Sequence, residues 1–224
     1  MPHWNPAPLA QQLLDLFAAL LLLIVFAMLS QRRILTLIRL FAIQGLILAL
    51  SIADSAWLTH QSHLYYSAAL TLGLKALILP GLLRRLIGRL GVVWDVETLI
   101  NIPTTMLLGI LLVIFAFNLT LPIAHFSHTI LRNTLGIALA SVLLSFMMMI
   151  TRSKAVPQVI GFLAMENGLF FAATSATYGM PMVVELGVAL DVLVGMFIFG
   201  IFFFQIRDTF DSLDTRKMDH LGKD

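Results

Sequence analysis

Three ionisable residues lie inside long apolar stretches of this 224-residue sequence: Lys75, Glu166 and Asp191. A charged side chain at the centre of a bilayer costs roughly 3 kcal/mol on insertion scales, so each of them calls for a reason. A carboxyl group takes up and releases protons, and a nearby ammonium favours its ionised form, so a proton that moves at one group shifts the equilibrium at the next. Together with the Asn167 amide, which both donates and accepts hydrogen bonds, this set is predicted to relay protons or ions. The alternative, that Glu166 and Lys75 only pair and hold helices together, stays open.

Helix-breaking and small residues accompany these groups. Pro80 follows Lys75 by five residues and interrupts helical hydrogen bonding, which predicts either a stretch that bends and takes up water or a static kink. Gly161 and Gly168 flank Glu166. Because glycine has no side chain, water or a neighbouring helix is expected to approach closely at these two positions.

Other polar residues are interpreted differently. Asp15, Asp54 and Glu185 lie nearer the ends of the apolar stretches and are interpreted mainly as groups at the membrane rim, Asp54 being one turn from Trp57. Two histidine pairs have the i, i+3 spacing that suits zinc or copper: His60 with His63, and His125 with His128. No carboxylate or thiolate is fixed beside them and the chain has no cysteine, so no metal site is predicted.

Apolar helices must carry these residues. Hydrophobic residues make up 59% of the chain and charged residues 12%, with a mean hydropathy of +0.95, whereas about a quarter of a soluble domain is charged. Stretches long enough to span a bilayer occur at Leu9–Ser30, Ile34–Leu58, Leu64–Leu83, Ile102–Leu119, Thr129–Ile150, Val156–Tyr178 and Met182–Ile206. The predicted fold is all-α, a polytopic integral membrane bundle of about seven transmembrane helices. A soluble enzyme and a nucleic-acid-binding protein are both disfavoured.

Lysine and arginine positions predict the orientation of the bundle. With seven helices, all but two of the 14 Lys and Arg residues fall on one side, and cytoplasmic loops carry such an excess. The N-terminus is therefore expected outside and the C-terminus in the cytoplasm, as a multi-pass protein of the cell (inner) membrane. Residues 1–206 are interpreted as a single transmembrane domain and residues 207–224 as a short cytoplasmic polar tail. The longest connection, Arg84–Asn101, mixes charged and apolar residues and is expected to lie along the membrane interface.

Motifs of soluble enzymes are absent from the sequence, which has no P-loop, dinucleotide fingerprint, nucleophile elbow or HExxH helix. There is no cysteine for a cluster and no mid-membrane histidine for a haem. No catalytic residue, cofactor or metal is therefore predicted on this chain.

Three stretches carry a resemblance to a known family. The run Gly161–Gly168 (GFLAMENG), followed by Val184–Leu193 (VELGVALDVL), resembles the hydrogenase-4 component E (HyfE-like) membrane subunit, and Leu74–Leu82 (LKALILPGL) looks like the third span of that family. Length, helix count and tail extend the resemblance over essentially the whole chain. Residues 129–206 are similar to the three-helix K-type (4L) subunit of respiratory complex I and to the C subunit of Mrp-type antiporters. By that likeness Glu166 and Asp191 correspond to paired intramembrane carboxylates, with Asp at a position where the complex I subunit usually has Glu.

The resemblance implies a non-catalytic subunit of a group-4 membrane-bound nickel–iron hydrogenase or formate hydrogenlyase complex. The implied partners are antiporter-like and quinone-chamber-like membrane subunits, the lipid bilayer and, indirectly, peripheral hydrogenase subunits, with no nucleic acid. Glu166, Asp191 and Lys75 would link redox chemistry on other chains to proton movement. Two alternatives come from different classes: a stand-alone secondary transporter or channel, against which the lack of an inverted repeat argues, and a purely structural scaffold.

Overall fold

The computed structural model describes residues 7–59, 61–90, 96, 98–120, 129–177, 187, 190 and 193–195. The chain divides into two compact units, residues 1–188 and 189–224. In the first unit the described elements are the helices α1 (Ala7–Leu29), α2 (Ile34–Thr59), α3 (Ser62–Thr71), a π-helical segment (Leu72–Ile78), α4 (Leu79–Leu90), α5 (Ile102–Thr120), α6 (Thr129–Thr151) and α7 (Ala155–Thr177). This part of the chain is all-helical, as predicted, and contains no β-strand.

Six helices are long and apolar enough to cross a membrane: Gln11–Leu29, Ile34–Thr59, Ser62–Arg85, Ile102–Thr120, Thr134–Thr151 and Ala155–Thr174. They coincide with the first six predicted stretches, which confirms that these stretches form apolar helices of membrane-spanning length. The third is continuous through α3, the π-helical segment and the first part of α4. The seventh predicted stretch, Met182–Ile206, lies outside the described residues except at 187, 190 and 193–195.

Proline marks where several of these helices begin. Pro8, Pro103 and Pro157 lie in the first turn of α1, α5 and α7 respectively. A first-turn residue has no helical acceptor for its N–H, so proline there loses no hydrogen bond and its fixed φ favours the helix. These prolines therefore set the ends of the spans without weakening them.

Four helices form the centre of the first unit. α1 packs against α2 and α6, α6 packs against α7, and α7 packs against α2. The third span lies against α2, and α5 lies against α6 and α1. More than half of the residues in the most apolar part of α2, α6 and α7 are buried, whereas α5 is mostly exposed. The residues predicted to do chemistry on α7 are thus carried by one of the most enclosed helices.

Three loops meet at one end of the first unit, here called the arginine end (residues 30–33, 96 with 98–101, and 152–154). Val96 N donates to the Arg32 carbonyl at 2.6 Å, and Leu99 N donates to the Thr151 carbonyl at 2.9 Å. Thr98 and Arg152 form an isolated antiparallel bridge. The connection predicted to lie along the interface is therefore partly helical, since α4 runs to Leu90, and its described end is held against the other two loops.

Candidate functional site

An ion pair joins the third span to α7. Lys75 Nζ donates to Glu166 Oε1 at 2.7 Å, and the two side chains are only 1% and 3% exposed. The sequence placed both residues in the apolar interior but left their contact open, and the structure brings them together. A buried pair of this kind is costly to desolvate, and loss of one partner leaves an isolated charge in an apolar setting.

The backbone around Lys75 is π-helical rather than α-helical. The wide segment Leu72–Ile78 closes with a hydrogen bond from Leu79 N to the Leu74 carbonyl. Pro80 follows as the second residue of α4, where it has no N–H to offer the Ala76 carbonyl. The disturbance that Pro80 predicts thus takes the form of a widened turn on the Lys75 side, after which the helix continues to Leu90. Such π-helical insertions occur frequently at functional sites.

A glycine on α2 makes room for this widened turn. A Cβ at Gly45 would lie 2.8 Å from the Lys75 carbonyl carbon, 2.9 Å from its oxygen and 3.0 Å from its Cβ. Two of these are backbone atoms that no side-chain rotation can remove. Gly45 therefore sets how closely α2 approaches Lys75, a role that sequence reasoning missed because the glycine lies on a different span from the ion pair.

An amide pair lies beside the ion pair. Asn167 Nδ2 donates to Gln44 Oε1 at 3.2 Å, and Gln44 Nε2 donates to the Ala164 carbonyl at 3.3 Å. Both amides are fully buried. Within the described ranges, Asn167 Oδ1 has no hydrogen-bond partner. Asn167 was among the predicted site residues; Gln44 was not, although a glutamine within an apolar span was a signal for it.

The ring of Phe170 also lies beside the lysine. The Lys75 ammonium lies 5.1 Å from the centroid of the Phe170 ring, within the range of a cation–π interaction. Gly187 approaches the same ring so closely that an added Cβ would overlap it. Phe170 lies one helical turn after Glu166, so α7 presents both the carboxylate and the ring to Lys75. Sequence reasoning missed this because phenylalanine is common in spans.

Two predicted acidic positions, Asp191 and Glu185, lie outside the described residues. Asp15 is exposed, as a rim group would be. Asp54, interpreted mainly as a rim group, is buried: its side chain is 8% exposed, and its Oδ2 has no hydrogen-bond partner among the described residues. Asp54 is close to the end of α2, but the helix turns it towards the packed interior rather than outward.

Of the four paired histidines, the structure describes His63. His60, His125 and His128 lie outside the described residues, and His63 is half-buried with a buried Nε2. In the part of the chain that the structure describes, no group of three histidine, cysteine, aspartate or glutamate residues is arranged to hold a metal ion. The expectation of no metal site stays a prediction.

Sequence comparison shows a relative of nearly the same length. The chain is 32% identical over 210 residues to Uncharacterized protein Rv0085 of Mycobacterium tuberculosis (strain ATCC 25618 / H37Rv), covering 93% of this chain and 96% of that protein. The chain belongs to the Rv0085 family. No family model and no solved structure matches it.

Two glycines bring α7 of this Rv0085-family protein against α6. A Cβ at Gly161 would lie 2.9 Å from Met149 Cγ and 3.3 Å from the Ser145 carbonyl, and a Cβ at Gly168 would lie 3.0 Å from Val142 Cγ2. Of the two predicted neighbours, water or a helix, the structure shows a helix at both positions. Glu166 is therefore carried on a helix held tightly along one side.

A second buried cation lies at the arginine end of this Rv0085-family protein. Arg152 is 1% exposed, and its Nη2 donates to the carbonyls of Met28 at 3.3 Å and Leu29 at 2.7 Å. Its Nε and Nη1 have no hydrogen-bond partner among the residues that the structure describes. Burial lowers the pKa of the guanidinium to about 10, so it stays charged at neutral pH. Sequence analysis counted Arg152 only as one of the loop cations.

Proposed function

We propose that this chain is a non-catalytic membrane subunit of a hydrogenase-type, complex I-like assembly, in which Lys75, Glu166, Asp191 and Asn167 pass protons or ions along the membrane. The observation that carries the proposal is the ion pair between Lys75 and Glu166, buried between two helices of membrane-spanning length. The resemblance to HyfE-like subunits supplies the kind of complex and the role of Asp191.

The free energies of a buried ion pair favour proton transfer between its partners. In a low-dielectric interior the attraction between the two charges is largely offset by their desolvation. The charged pair and the neutral pair formed by moving one proton from Nζ to Oε1 are therefore closer in free energy than they are in water. A proton that arrives at Glu166 neutralises it and frees Lys75 to interact with another carboxylate, for which Asp191 is the candidate.

The proposed topology gives the relay a direction. We infer a seventh helix at Met182–Ile206 that carries Asp191, an N-terminus outside and a C-terminus in the cytoplasm of a cell membrane. Support comes from the arginine end, where Val96 is hydrogen-bonded to the loop that carries Arg32, and Thr98 and Leu99 are bonded to the chain at Thr151 and Arg152. Loops rich in arginine favour the cytoplasmic side. Transfer between Lys75, Glu166 and Asp191 would then run within the membrane plane.

The rival role is structural: the pair only joins the third span to α7. The two roles differ when both partners are replaced together, because apolar residues of similar volume often substitute for a buried ion pair without loss of stability. The double variant Lys75→Met/Glu166→Met keeps packing between the helices while removing every exchangeable proton from the pair. It is therefore the matched control for the single variant Glu166→Gln.

The experiment purifies the tagged chain with the complex that it assembles into and measures ion movement per redox turnover in sealed vesicles. The relay role predicts that Glu166→Gln and the double variant both assemble but lose coupling. Coupling at the wild-type level in the double variant would assign the pair a structural role only. If the chain purified alone moves ions in liposomes, the stand-alone transporter is the correct class instead.

A further inference from the structure

Further buried polar residues lie on α2 and α7 beyond the amide pair, towards the α2–α3 turn. The α2 residues Gln44, Ser51 and Asp54 are 0%, 3% and 8% exposed, and the α7 residues Asn167 and Thr174 are 0% and 4% exposed. These five residues are here called the polar file. The Gln44–Asn167 hydrogen bond belongs to the site already described, whereas the remaining members have no role in it.

The register of the two helices places these residues at matching levels. Both α2 and α7 begin at the arginine end, so they run in the same direction, and the hydrogen bond between Gln44 and Asn167 fixes their relative height. Ser51 and Thr174 each lie seven residues further on, about 10 Å along the axis and nearly on the same helix face as the amides. Asp54 lies about 5 Å beyond Ser51 by the same rise. The polar file thus leads from the ion pair to the end of α2 at the α2–α3 turn.

Each end of the polar file has a buried oxygen without a hydrogen-bond partner in the part of the chain that the structure describes: Asn167 Oδ1 at the inner end and Asp54 Oδ2 at the outer end. A buried acceptor left unsatisfied costs about 1–3 kcal/mol. The Thr174 hydroxyl donates to the Phe170 or Phe171 carbonyl at 2.9 or 3.2 Å, which leaves its oxygen as another acceptor. Water donates to such acceptors and occupies buried sites with two or more polar neighbours.

We propose that the α2–α7 interface holds a file of water molecules from Asp54 at the α2–α3 turn to Asn167 beside Glu166, and that this file is the route by which protons reach the ion pair. Asp54 is the group at the outer end of this file, which accounts for its inward orientation near the end of α2. The route's role in proton supply rests on the proposed function, but its hydration does not.

The lack of cysteine in the chain permits a direct test of hydration. Single cysteines replace Ser51, within the polar file, and Ala56, a fully buried residue of α2 that lies nearer the α2–α3 turn. Ala56 is about 140° around the helix from Ser51 at 100° per residue. If depth alone controlled access, Ala56→Cys would react faster. If the polar file is hydrated, Ser51→Cys reacts and Ala56→Cys does not.

The reagent is a charged, membrane-impermeant methanethiosulfonate, added to sealed vesicles on the face that carries the α2–α3 turn. Because only the thiolate reacts and it forms only where water or charge stabilises it, we expect Ser51→Cys to be labelled at least about tenfold faster than Ala56→Cys. Thr174→Cys is a second probe from the opposite helix and is expected to react as Ser51→Cys does. Full labelling of all three variants after denaturation confirms that each thiol is intact.

Equal, slow labelling of Ser51→Cys, Thr174→Cys and Ala56→Cys in folded protein would overturn the water file. That result is distinct from failure of the relay, which is measured by coupling in Glu166→Gln. Labelled Ser51→Cys together with unaltered coupling in Glu166→Gln would keep the hydrated interface and remove its role in proton supply.

Discussion

Among the residues that the structure describes, two cations are buried, and each is stabilised in a different way. Lys75, in the middle of the third span, faces the Glu166 carboxylate and the Phe170 ring. Arg152, at the arginine end, faces the last carbonyls of α1 and contacts Met28 and Leu29 through a single nitrogen. The difference follows from the backbone: carbonyls within a span accept helical hydrogen bonds, whereas the last carbonyls of a helix lack N–H partners within the helix and carry its negative dipole end.

This contrast separates a group that can exchange a proton from one that cannot. The lysine has a titratable partner at hydrogen-bond distance, so a single proton transfer neutralises both groups. The arginine donates to the carbonyls of Met28 and Leu29 and keeps its charge at neutral pH, because its pKa is about 10 even after burial. Mid-span pairing therefore suits a relay, and end capping suits a fixed structural link between α1 and the loop after α6.

The largest expected effect on stability comes from replacing only one partner of the Lys75–Glu166 ion pair. Glu166→Leu leaves the Lys75 ammonium buried without its carboxylate, which is expected to destabilise the protein by about 3–5 kcal/mol. Lys75→Met/Glu166→Met is expected to recover most of that loss, because no isolated charge remains. Thermal denaturation of the purified chain in detergent measures both. A double variant as unstable as Glu166→Leu would mean that the pair contributes more than mutual neutralisation.

Much of this site could be anticipated from the sequence, and the limits have a physical cause. Lys75, Glu166 and Asn167 stand out because ionisable and amide groups are expensive in apolar spans. Six of the helices follow from apolar run length in the same way. The pairing of Lys75 with Glu166 could be raised from the sequence only as an open alternative, because it joins positions 91 residues apart and depends on how helices pack.

The burial of Arg152 and Asp54 could not be predicted from the sequence either. Both lie near helix ends, where charged groups are usually hydrated, and position along the helix gives no indication that they are buried. The direction in which a side chain points depends on which neighbour occupies that face. Gln44 and Gly45 were missed for a related reason, since their importance comes from contacts with α7 and with the π-helical segment.

The second expected effect concerns the arginine end. Arg152→Met removes a charged donor from the carbonyls that end α1 and is expected to cost about 2 kcal/mol, the size of a hydrogen bond to a charged group. Arg152→Lys keeps the charge and is the matched control, expected to retain part of the stability. No second substitution can compensate, unlike at the mid-span pair, because the carbonyls remain. If Arg152→Met left the stability unchanged, the contacts of Arg152 with the α1 carbonyls would contribute no net stability.

This cap is also expected to be insensitive to pH in the physiological range. A base whose pKa is lowered by folding carries a constant burial cost below that pKa, and the cost is relieved only as the pH rises through it. With a pKa of about 10, the difference in melting temperature between wild type and Arg152→Met should be the same at neutral and at mildly acidic pH. A difference that changes over that range would point to a titrating partner for the guanidinium.

A smaller effect is expected where α2 approaches the widened turn. Gly45→Ala places a methyl group within 3.0 Å of Lys75 backbone atoms, and such overpacking typically costs about 1–3 kcal/mol. Gly73→Ala is the control on the π-helical segment itself, since a Cβ there meets nothing within 4 Å; it should leave the melting temperature unchanged or raise it slightly. Equal effects of the two alanines would show that the close approach at Gly45 is not what holds Lys75 in place.

The smallest expected effect isolates the aromatic contact from the ion pair. Phe170→Leu loses the ring beneath the Lys75 ammonium, a contribution of about 0.5–1 kcal/mol beyond the packing cost. Phe171→Leu removes a neighbouring buried ring of the same helix and measures the packing cost alone. In the Lys75→Met/Glu166→Met background the cation is gone, so the two leucine variants should then cost the same, as a double-mutant cycle requires of an interaction that depends on the lysine. A difference that survives in that background would belong to the position of Phe170 against Gly187 and not to the charge.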